Sequence, residues 1–499
     1  MAKHVQGGWA MMSQRQRMSP FPNYMSMESV CNEMKKFVGT SLRNVMIFFE
    51  GNMMYVFQVV KDHKKSGAII ASKVEKHPGM YDKLVKIEEK HGAKLVNFAK
   101  QSGSKVSAKT TNKQLYQMFA GYEKLYKQVY GVYGSVWTME DDLMEILYNI
   151  VSKRIKDGAK ITDIINVLTK QPSAMVATIE RRSLWTLAVK ILSNQVWKKI
   201  ILNGDLKAIK NVKPLHKLID AHQKNFFWIT RDYEDPILTY ENIVDKLKSA
   251  LQIDVKKELF DLEKKLRDSL SERKYWEKTL KLNKKELALF ADMRAAAHLK
   301  EQRKKFVSQS LYYFDPVLFE ISKRLYLSVK QVRFLRTKDV FEALVKGKDL
   351  SSEINNRFKL SVWQCSGQNT KVITGAEAQE LFAKFCQVDK NATEFVGMAV
   401  SPGVARGLAK IVLNPNECGK VNKDDIIVSV QVVPSFSTAI IKSAGIVCDG
   451  GHGITSHPAT LSREAGIPCV IQTRFVREVI KDGDMLEVDG YKGIVKIIK

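Results

Sequence analysis

The sequence predicts a multidomain α+β protein, in which a large, mostly α-helical domain with a small N-terminal β element precedes a compact C-terminal domain of strands and short helices. The chain has 499 residues, more than one hydrophobic core usually covers. Apolar residues recur at helical spacing from about residue 77 to residue 346, which is typical of packed amphipathic helices. Of the 28 glycines, 12 lie in the last 105 residues, where β-prone runs alternate with short helical segments.

The N-terminal region, residues 1–76, is predicted to contain an arm and a β-hairpin. The first 40 residues show no periodicity, and we expect an ordered arm or a frayed segment there. Two β-prone runs, 44–49 and 53–60, flank Glu50-Gly51-Asn52, a pattern that predicts a hairpin with a short turn. We expect this small sheet to pack on helices.

Residues 77–386 are predicted to form the mostly helical domain. Thr162 and Ser328 each precede a helical pattern and are expected to be helix N-caps. Short β-like pieces return between residues 357 and 374, and another amphipathic helix is expected from Gly375. A polar linker, 387–396, then leads into the C-terminal domain, 397–499.

The charge of the chain is unevenly distributed. There are 80 basic against 53 acidic residues, a net charge of +27, but the last 105 residues carry 12 basic and 10 acidic residues, so +25 belongs to the first 394. Such an excess attracts anions, including phosphate, nucleic acid or an acidic partner. The basic runs of the helical region, such as Arg303–Lys305, alternate with acidic and apolar residues, which favours a solvated helix face.

The six cysteines are too few and too scattered for a disulfide framework, which favours a reducing compartment. The N-terminus lacks the apolar stretch of a secretory signal, and no run reaches the roughly 18–20 apolar residues that span a bilayer. We therefore expect a soluble, cytoplasmic protein without membrane contact.

One glycine-rich segment carries a pattern typical of a chemical site. A β run ends at Cys448, a loop follows, and a helix is expected to begin near Ser456, capped by Ser456 or Thr455. Pro458 is tolerated in a first helical turn, and Gly466 is expected to end the helix. The pattern predicts a helix N-terminus that faces the loop.

His457 lies at that helix N-terminus, where free backbone N–H groups and the helix dipole favour an anion such as phosphate. A neutral imidazole can accept a phosphoryl group and pass it on. Two alternatives stay open: a capped-helix histidine in a degenerate domain, and a zinc site formed by Cys448, His452, His457 and Cys469. The spacings of these four residues are not those of a compact zinc site, so no metal is predicted.

The motifs of this region resemble the mobile phosphohistidine domain of the phosphoenolpyruvate-utilising enzymes, a family that includes phosphoenolpyruvate synthase, pyruvate phosphate dikinase and rifampicin phosphotransferase. The resemblance covers about 105 residues and is carried by segments 397–407, 423–428, 453–457, 462–464, 466–470 and 481–489. It implies a β/β/α swivel domain whose phosphorylated histidine is His457. It also implies a swivel between a nucleotide site and an acceptor site, with the linker 387–396 as a hinge.

The resemblance also implies roles for residues around His457. Thr455, Ser456 and the N–H groups of Gly451 and Gly453 are expected to cradle the phosphate, with Arg463 and Glu464 fixing the helix or balancing charge. The sequence departs from the usual family pattern at His452, Pro458, Thr460 and Gln472.

The first 394 residues lack a glycine-rich phosphate loop and alternating β/α units, so no ATP-grasp domain is predicted. The helical region is similar to the helical middle domain of rifampicin-phosphotransferase-like proteins, and His222, Trp228 and Arg303 are candidate acceptor-binding residues. We expect a phosphotransferase or phosphotransferase subunit, with a small-molecule or pyruvate-like acceptor. The donor, ATP or phosphoenolpyruvate with Mg²⁺, is expected on a separate ATP-grasp or other nucleotide-binding protein. The alternative is a non-catalytic scaffold or a basic nucleic-acid-binding protein.

Overall fold

The structure is a computed structural model that describes residues 8–171, 176–367, 369–386, 389–433, 436–451 and 456–498. Helices predominate before residue 386, and a domain containing strands follows. This coarse prediction of the fold class is confirmed, whereas the predicted domain boundaries stay predictions. Among the described residues, no helix is long and apolar enough to cross a membrane.

A five-stranded antiparallel sheet, in the order β1-β3-β2-β4-β5, forms one part of the first region. Its elements and the helices between the first strands are β1 (Trp9–Gln16), α1 (Pro20–Asn32), α2 (Lys35–Val38), β2 (Asn44–Glu50), β3 (Met53–Val59), β4 (Ser361–Ser366) and β5 (Asn369–Ile373). The predicted hairpin is confirmed as β2 and β3, which pair around a turn in which Gly51 has a φ of +55°. Because β2 also pairs with β4, the sheet joins segments of the chain that lie about 300 residues apart.

The segment before the hairpin is more regular than the sequence indicated, since it forms β1 and α1. Ten of the 13 residues of α1 are buried. A helix that is covered on nearly all sides shows no amphipathic period, which explains why the pattern was not visible in the sequence.

The helical part of the chain packs around a core that the long helices α4, α5 and α13 share. Its helices are α3 (Val60–Lys76), α4 (Met80–Lys105), α5 (Asn112–Ser152), α6 (Gly158–Thr169), α7 (Val176–Leu192), α8 (Gln195–Asn203), α9 (Leu206–Asn211), α10 (Lys213–Phe226), α11 (Tyr240–Ala250), α12 (Val255–Thr279), α13 (Lys284–Leu325), α14 (Val329–Val332), α15 (Thr337–Leu344), α16 (Ser351–Lys359) and α17 (Gly375–Phe385). A second, smaller core lies among α7 to α11.

The two predicted helix caps have different outcomes. Ser328 caps α14, since its hydroxyl accepts a hydrogen bond of 3.2 Å from the backbone N–H of Gln331. The prediction for Thr162 is wrong, because α6 begins at Gly158 and the Thr162 hydroxyl donates to the Gly158 carbonyl inside the helix. The side chain of Asp157 accepts a hydrogen bond from the first turn instead.

The two faces of the N-terminal sheet contact different cores, as the period of two residues in a strand requires. Val45, Ile47 and Phe49 of β2 face the core of the long helices. Met46 and Phe48 face the opposite side, where α17 packs. Phe475 of the C-terminal domain belongs to this second cluster, so the sheet also contacts the C-terminal domain.

The C-terminal domain contains an eight-stranded sheet in the order β6-β13-β12-β8-β9-β10-β11-β7. Its elements are β6 (Glu394–Val396), β7 (Met398–Ser401), β8 (Val404–Ile411), β9 (Ile426–Ser429), α18 (Ser437–Ile440), β10 (Gly445–Cys448), α19 (His457–Ala465), β11 (Cys469–Ile471), α20 (Val476–Val479), β12 (Met485–Asp489) and β13 (Ile494–Ile498). Four consecutive strands of this sheet, β8 to β11, are parallel. Ligands of parallel sheets bind beyond the carboxyl ends of the strands, and α19 begins at that edge, after β10.

Candidate functional site

Gly450 and Gly451, in the loop after β10, pack closely against their surroundings. A Cβ atom on Gly451, whose φ is +120°, would lie 3.0 Å from the side chain of Ile471, so a side chain here would be strained. A Cβ atom on Gly450 would lie 2.4 Å from the carbonyl oxygen of Gln14 in β1. The missing side chain at Gly450 therefore lets the backbone at this position lie directly on the N-terminal sheet. The predicted phosphate-binding residues Gly453 and Thr455, and His452, lie outside the described residues.

Ser456 and His457 lie at the start of the helix as predicted, but Ser456 makes no side-chain capping hydrogen bond among the described residues. Ser456 occupies the N-cap position with extended backbone angles, and its buried hydroxyl oxygen has no hydrogen-bond partner among the described residues. His457 is the first helical residue, and Gly466 ends the helix in the left-handed conformation. Among the described residues, the hydroxyl that precedes His457 in sequence is therefore unpaired at the N-terminus of α19.

His457 lines a cavity of about 230 Å³ between the C-terminal domain and the helical region. The other walls come from β1, α1, the β2–β3 hairpin, α5, α13 and the loop around residue 232. The cavity thus places the candidate nucleophile against side chains that are between about 150 and 450 residues away in sequence.

Three charged side chains, Arg15, Asp232 and Lys304, lie around the imidazole of His457. Arg15 of β1 forms an ion pair with Asp232, and its Nε atom donates a hydrogen bond of 3.1 Å to Gln431 of the C-terminal domain. Lys304 of α13 lines the same cavity. Burial raises the pKa of Asp232, but Arg15 and Lys304 outweigh it, so the pKa lies below the ordinary value and the carboxylate is ionised.

His457 is held in its neutral form. Burial lowers the pKa of the imidazole, Lys304 and Arg15 lower it further, and Asp232 acts in the opposite direction, with the result that the pKa is about 3. The accessible part of the ring borders the cavity. A neutral imidazole keeps a lone pair for attack on phosphorus at neutral pH.

Arg303, one of the predicted acceptor-binding residues, also lines this cavity. Its Nη1 atom donates hydrogen bonds of 3.1 and 3.2 Å to the hydroxyl oxygens of Tyr130 and Tyr233. The guanidinium carbon lies 4.2 Å from the centre of the Tyr133 ring. The tyrosines fix the guanidinium group in the wall of the cavity by hydrogen bonds and a cation–π contact.

The structure does not bring the other two acceptor candidates to the same place. His222 of α10 is 4% exposed; its Nδ1 atom lies 3.0 Å from the hydroxyl of Ser183, and its Nε2 atom lies 3.4 Å from Glu180. It borders a groove of the smaller helical core instead. Trp228 is buried and donates to the carbonyl of Asn225.

Arg463 and Glu464, predicted to fix the helix or balance charge, lie on exposed turns of α19 and do not line the cavity. Their predicted roles stay predictions.

Two departures from the usual family pattern have a clear structural setting. Pro458 is the second residue of α19, a position where a missing N–H breaks no helical hydrogen bond. Gln472 has a φ of +58°, the left-handed region that favours glycine. Its Nε2 atom donates a hydrogen bond of 3.0 Å to the carbonyl of Gly451, so the side chain supports the loop.

The zinc site considered from the sequence includes His452, which lies outside the described residues. No cluster of three or more histidine, cysteine or acidic side chains suited to a metal occurs in the described ranges. Cys448 and Cys469 are buried on neighbouring strands as free thiols. Lysines on α12, such as Lys257 and Lys264, are exposed, which fits a solvated face; nucleic-acid binding stays untested.

Sequence reasoning missed Arg15, Asp232 and Lys304. Arg15 lies in the N-terminal segment that shows no periodicity. Lys304 lies in a basic run that we interpreted as a solvated helix face. That interpretation is correct for Lys305, which is exposed, but wrong for Lys304, which lines the cavity. One available signal was the charged cluster 231–235 between two helices, since loops often carry functional residues.

Comparison with known proteins concerns the C-terminal domain. Residues 421–493 match the family of the PEP-utilising enzyme, mobile domain, and the matched segment includes His457. A probable phosphoenolpyruvate synthase of Archaeoglobus fulgidus is 42% identical over 99 residues, which are 20% of this chain and 13% of that protein. The phosphoenolpyruvate synthase of Pyrococcus furiosus is 41% identical over 105 residues, 20% of this chain and 13% of that protein.

An uncharacterized phosphotransferase, YvkC, of Bacillus subtilis is 34% identical over 122 residues, 24% of this chain and 15% of that protein. The matches thus span only 13 to 15% of the length of these curated relatives. The resemblance inferred from the sequence motifs is confirmed: the C-terminal domain is similar to the mobile domain of phosphoenolpyruvate-utilising phosphotransferases.

Proposed function

We propose that the C-terminal domain carries a phosphoryl group on His457 and delivers it to an acceptor in the cavity described above. The observation that supports this most directly is the position of His457: a neutral imidazole at a helix N-terminus, in a domain similar to the mobile domain of phosphoenolpyruvate-utilising enzymes, facing a cavity lined by Arg15, Arg303 and Lys304.

The environment of His457 suits both halves of a two-step transfer. A neutral imidazole nitrogen attacks the donor phosphorus, and the phosphohistidine then loses the group to an acceptor, so that one transfer becomes two easier ones. The helix N-terminus and the hydroxyl of Ser456, which has no partner among the described residues, would provide donors for phosphate oxygens. Arg15 and Lys304 provide positive charge beside the transferring group.

The state described is the one in which the phosphoryl group would be delivered, because His457 faces the cavity of the helical region. Loading would occur after the domain swings away about the linker 387–396, as the similarity to a mobile domain suggests. The donor would be ATP or phosphoenolpyruvate, which with Mg²⁺ would be bound by a separate nucleotide-binding protein. In this proposal the chain is the acceptor-binding and carrier subunit of a phosphotransferase.

The test is acid-labile labelling of the full chain. The protein is incubated with labelled ATP or phosphoenolpyruvate, with and without a candidate ATP-grasp partner, and with labelled phosphoramidate as a small donor that needs no partner. We expect label on the wild type and on the control His77→Ala, whose histidine is exposed, but none on His457→Ala. Label that survives His457→Ala, or no label with any donor, would remove the carrier function and favour the scaffold alternative.

A further inference from the structure

Helix α12 (Val255–Thr279) lies largely on the surface of the helical region. Only one of its 25 residues, Val255, is buried. The helix contacts α6 and α7, and Leu259, Leu262 and Leu266 on one side of it are half-buried. The opposite side of α12 remains exposed and is available to a partner.

The exposed side of α12 is basic along the whole helix. At about 100° per residue, six exposed cations and two exposed aromatic residues lie within about 60° of the direction of Phe260. The stripe holds six of the eight basic residues of α12 and none of its six acidic residues. We call these eight residues the basic stripe: Lys256, Lys257, Phe260, Lys264, Arg267, Lys274, Tyr275 and Lys278.

The six cations of the basic stripe have no anionic partner in the described part of the chain. Their side chains take part in no ion pair or hydrogen bond among the described residues. Other charges of α12 are paired, since Glu263 lies 2.9 Å from Arg182 and Arg273 lies 3.6 Å from Glu277. Unpaired like charges on one helix face repel each other and attract a polyanion.

Two aromatic side chains lie among these cations. Phe260 and Tyr275 are each 60% exposed, and neither belongs to a hydrophobic core of the described residues. The ring of Tyr275 lies 5.2 Å from that of Trp276, which packs on the core of the long helices. Exposed rings beside cations suit a ligand that carries both negative charge and flat apolar groups, as single-stranded nucleic acids do.

We propose that the basic stripe of α12 binds single-stranded nucleic acid, with its cations on phosphates and with Phe260 and Tyr275 stacked on bases. From Lys256 to Lys278 the stripe is about 33 Å long, enough for several nucleotides. Charge and stacking do not read base edges, so binding would depend little on sequence. No residue that lines the cavity of His457 belongs to α12, and this proposal does not rest on the carrier function.

Other occupants fit the basic stripe less well. A base in a duplex must leave its stack before it can cover Phe260. A helix that lies in a membrane surface inserts a continuous apolar face, whereas cations separate Phe260 from Tyr275. A second copy of the chain would bring two rows of cations together, which repel.

Binding is measured by fluorescence anisotropy with the full chain and labelled oligothymidine, oligouridine and duplex DNA of about 15 nucleotides or base pairs. We expect the single strands to bind several-fold more tightly than the duplex, and the tighter single strand identifies DNA or RNA as the ligand. Six phosphate contacts to a single strand predict a salt slope of about 4. The Kd should therefore rise more than about a hundredfold between about 50 and 200 mM salt.

The cations are tested by the double variant Lys264→Gln, Arg267→Gln. We expect a Kd at least tenfold higher at low salt and a salt slope lower by about 1, because two phosphate contacts are lost. The matched control is Lys83→Gln, Lys86→Gln on α4, which removes the same charge from exposed positions. The control should change the Kd less than threefold.

The aromatic contribution is tested by Phe260→Ala, which should raise the Kd for single strands at least about fivefold. Phe319→Ala on α13 removes another exposed phenylalanine and should change the Kd less than twofold. We expect no displacement of the single strand by phosphatidylserine vesicles or by polyglutamate at equal charge concentration.

Four outcomes would overturn the proposal. They are no binding of single strands at low salt, an equal loss of affinity in both charge variants, unchanged affinity in Phe260→Ala, and displacement by the vesicles or by polyglutamate. None of these measurements uses a phosphoryl donor, so their result is independent of labelling at His457.

Discussion

Gly450 of the loop after β10 lies so close to Gln14 of strand β1 that a methyl group on its α-carbon would stand 2.4 Å from the Gln14 carbonyl oxygen. The two residues are more than 400 positions apart, and they belong to the two regions that must separate if the C-terminal domain moves. The contact therefore reports whether the domain is docked.

Gly450→Ala should favour the undocked state. Overpacking of this kind costs about 1–3 kcal/mol, which corresponds to at least about a fivefold shift toward undocking. Docking is measured by fluorescence energy transfer between dyes attached at Lys257→Cys and Lys423→Cys, both exposed positions. The native cysteines are all buried, so the dyes react with the introduced cysteines. Gly419→Ala is the control, because a Cβ atom there meets nothing within 4 Å; equal energy transfer in both variants would contradict the contact.

Acid should weaken docking through His457. The docked imidazole has a pKa of about 3, whereas a solvated histidine has a pKa near 6.5. Below about pH 6.5 the undocked state therefore binds a proton that the docked state does not, so docking is strongest above that pH and weakens as the pH falls. If the pKa of His457 changed by the full amount on undocking, docking would weaken by about 2 kcal/mol at pH 5. We expect a loss of about 1 kcal/mol, because part of the ring borders the cavity.

The same energy-transfer pair, measured at pH 7.5 and pH 5.0, checks this expectation. Arg15, Lys304 and Asp232 face the imidazole. His457→Gln removes only the titrating group, so the pH dependence should be smaller in that variant. An equal pH dependence in wild type and variant would show that another group is responsible.

Gln472 should respond differently to alanine and to glycine. Gln472→Ala keeps the left-handed backbone and loses the hydrogen bond to Gly451, which should cost about 1 kcal/mol. Gln472→Gly loses the same bond but relieves a backbone strain of about 1 kcal/mol, so its net effect should be near zero. Amide exchange of strands β10 and β11 measures the free energy of opening; equal values for both variants would contradict the backbone assignment.

A buried ion pair joins α16, which packs on strands β2 and β4, to α15. Arg357, 1% exposed, donates from Nη1 to Asp339 at 2.7 Å and to the Phe334 carbonyl at 2.9 Å. Burial raises the pKa of Asp339, but Arg357 and Arg336 outweigh it and lower the pKa to about 2. This stabilisation is present above about pH 4 and is lost as the pH falls through 2.

Arg357→Ala should reduce stability by about 3 kcal/mol or more, because it leaves a buried carboxylate without its main partner. Amide hydrogen exchange of β2 and β4 measures this loss of stability. Lys359→Ala, at an exposed position of the same helix, should change it by less than about 0.5 kcal/mol. A similar loss in both variants would mean that the pair does not stabilise the sheet.

The sequence by itself determined the local features of this protein. The glycine loop, the helix that begins at His457 and ends at Gly466, and the β2–β3 hairpin all depend on residues within one or two turns of each other, and propensities and caps specify them. The same motifs also carried the similarity of the C-terminal domain to a mobile phosphotransferase domain, which the comparisons confirm.

Only the tertiary structure decided what faces His457. The cavity joins Arg15, Asp232 and Lys304 to the helix N-terminus across segments that no sequence pattern connects. Contacts of this kind come from packing between distant elements, which leaves no period in the sequence. The low pKa of His457 follows from the same packing, because desolvation and neighbouring charges exist only when the two regions are in contact.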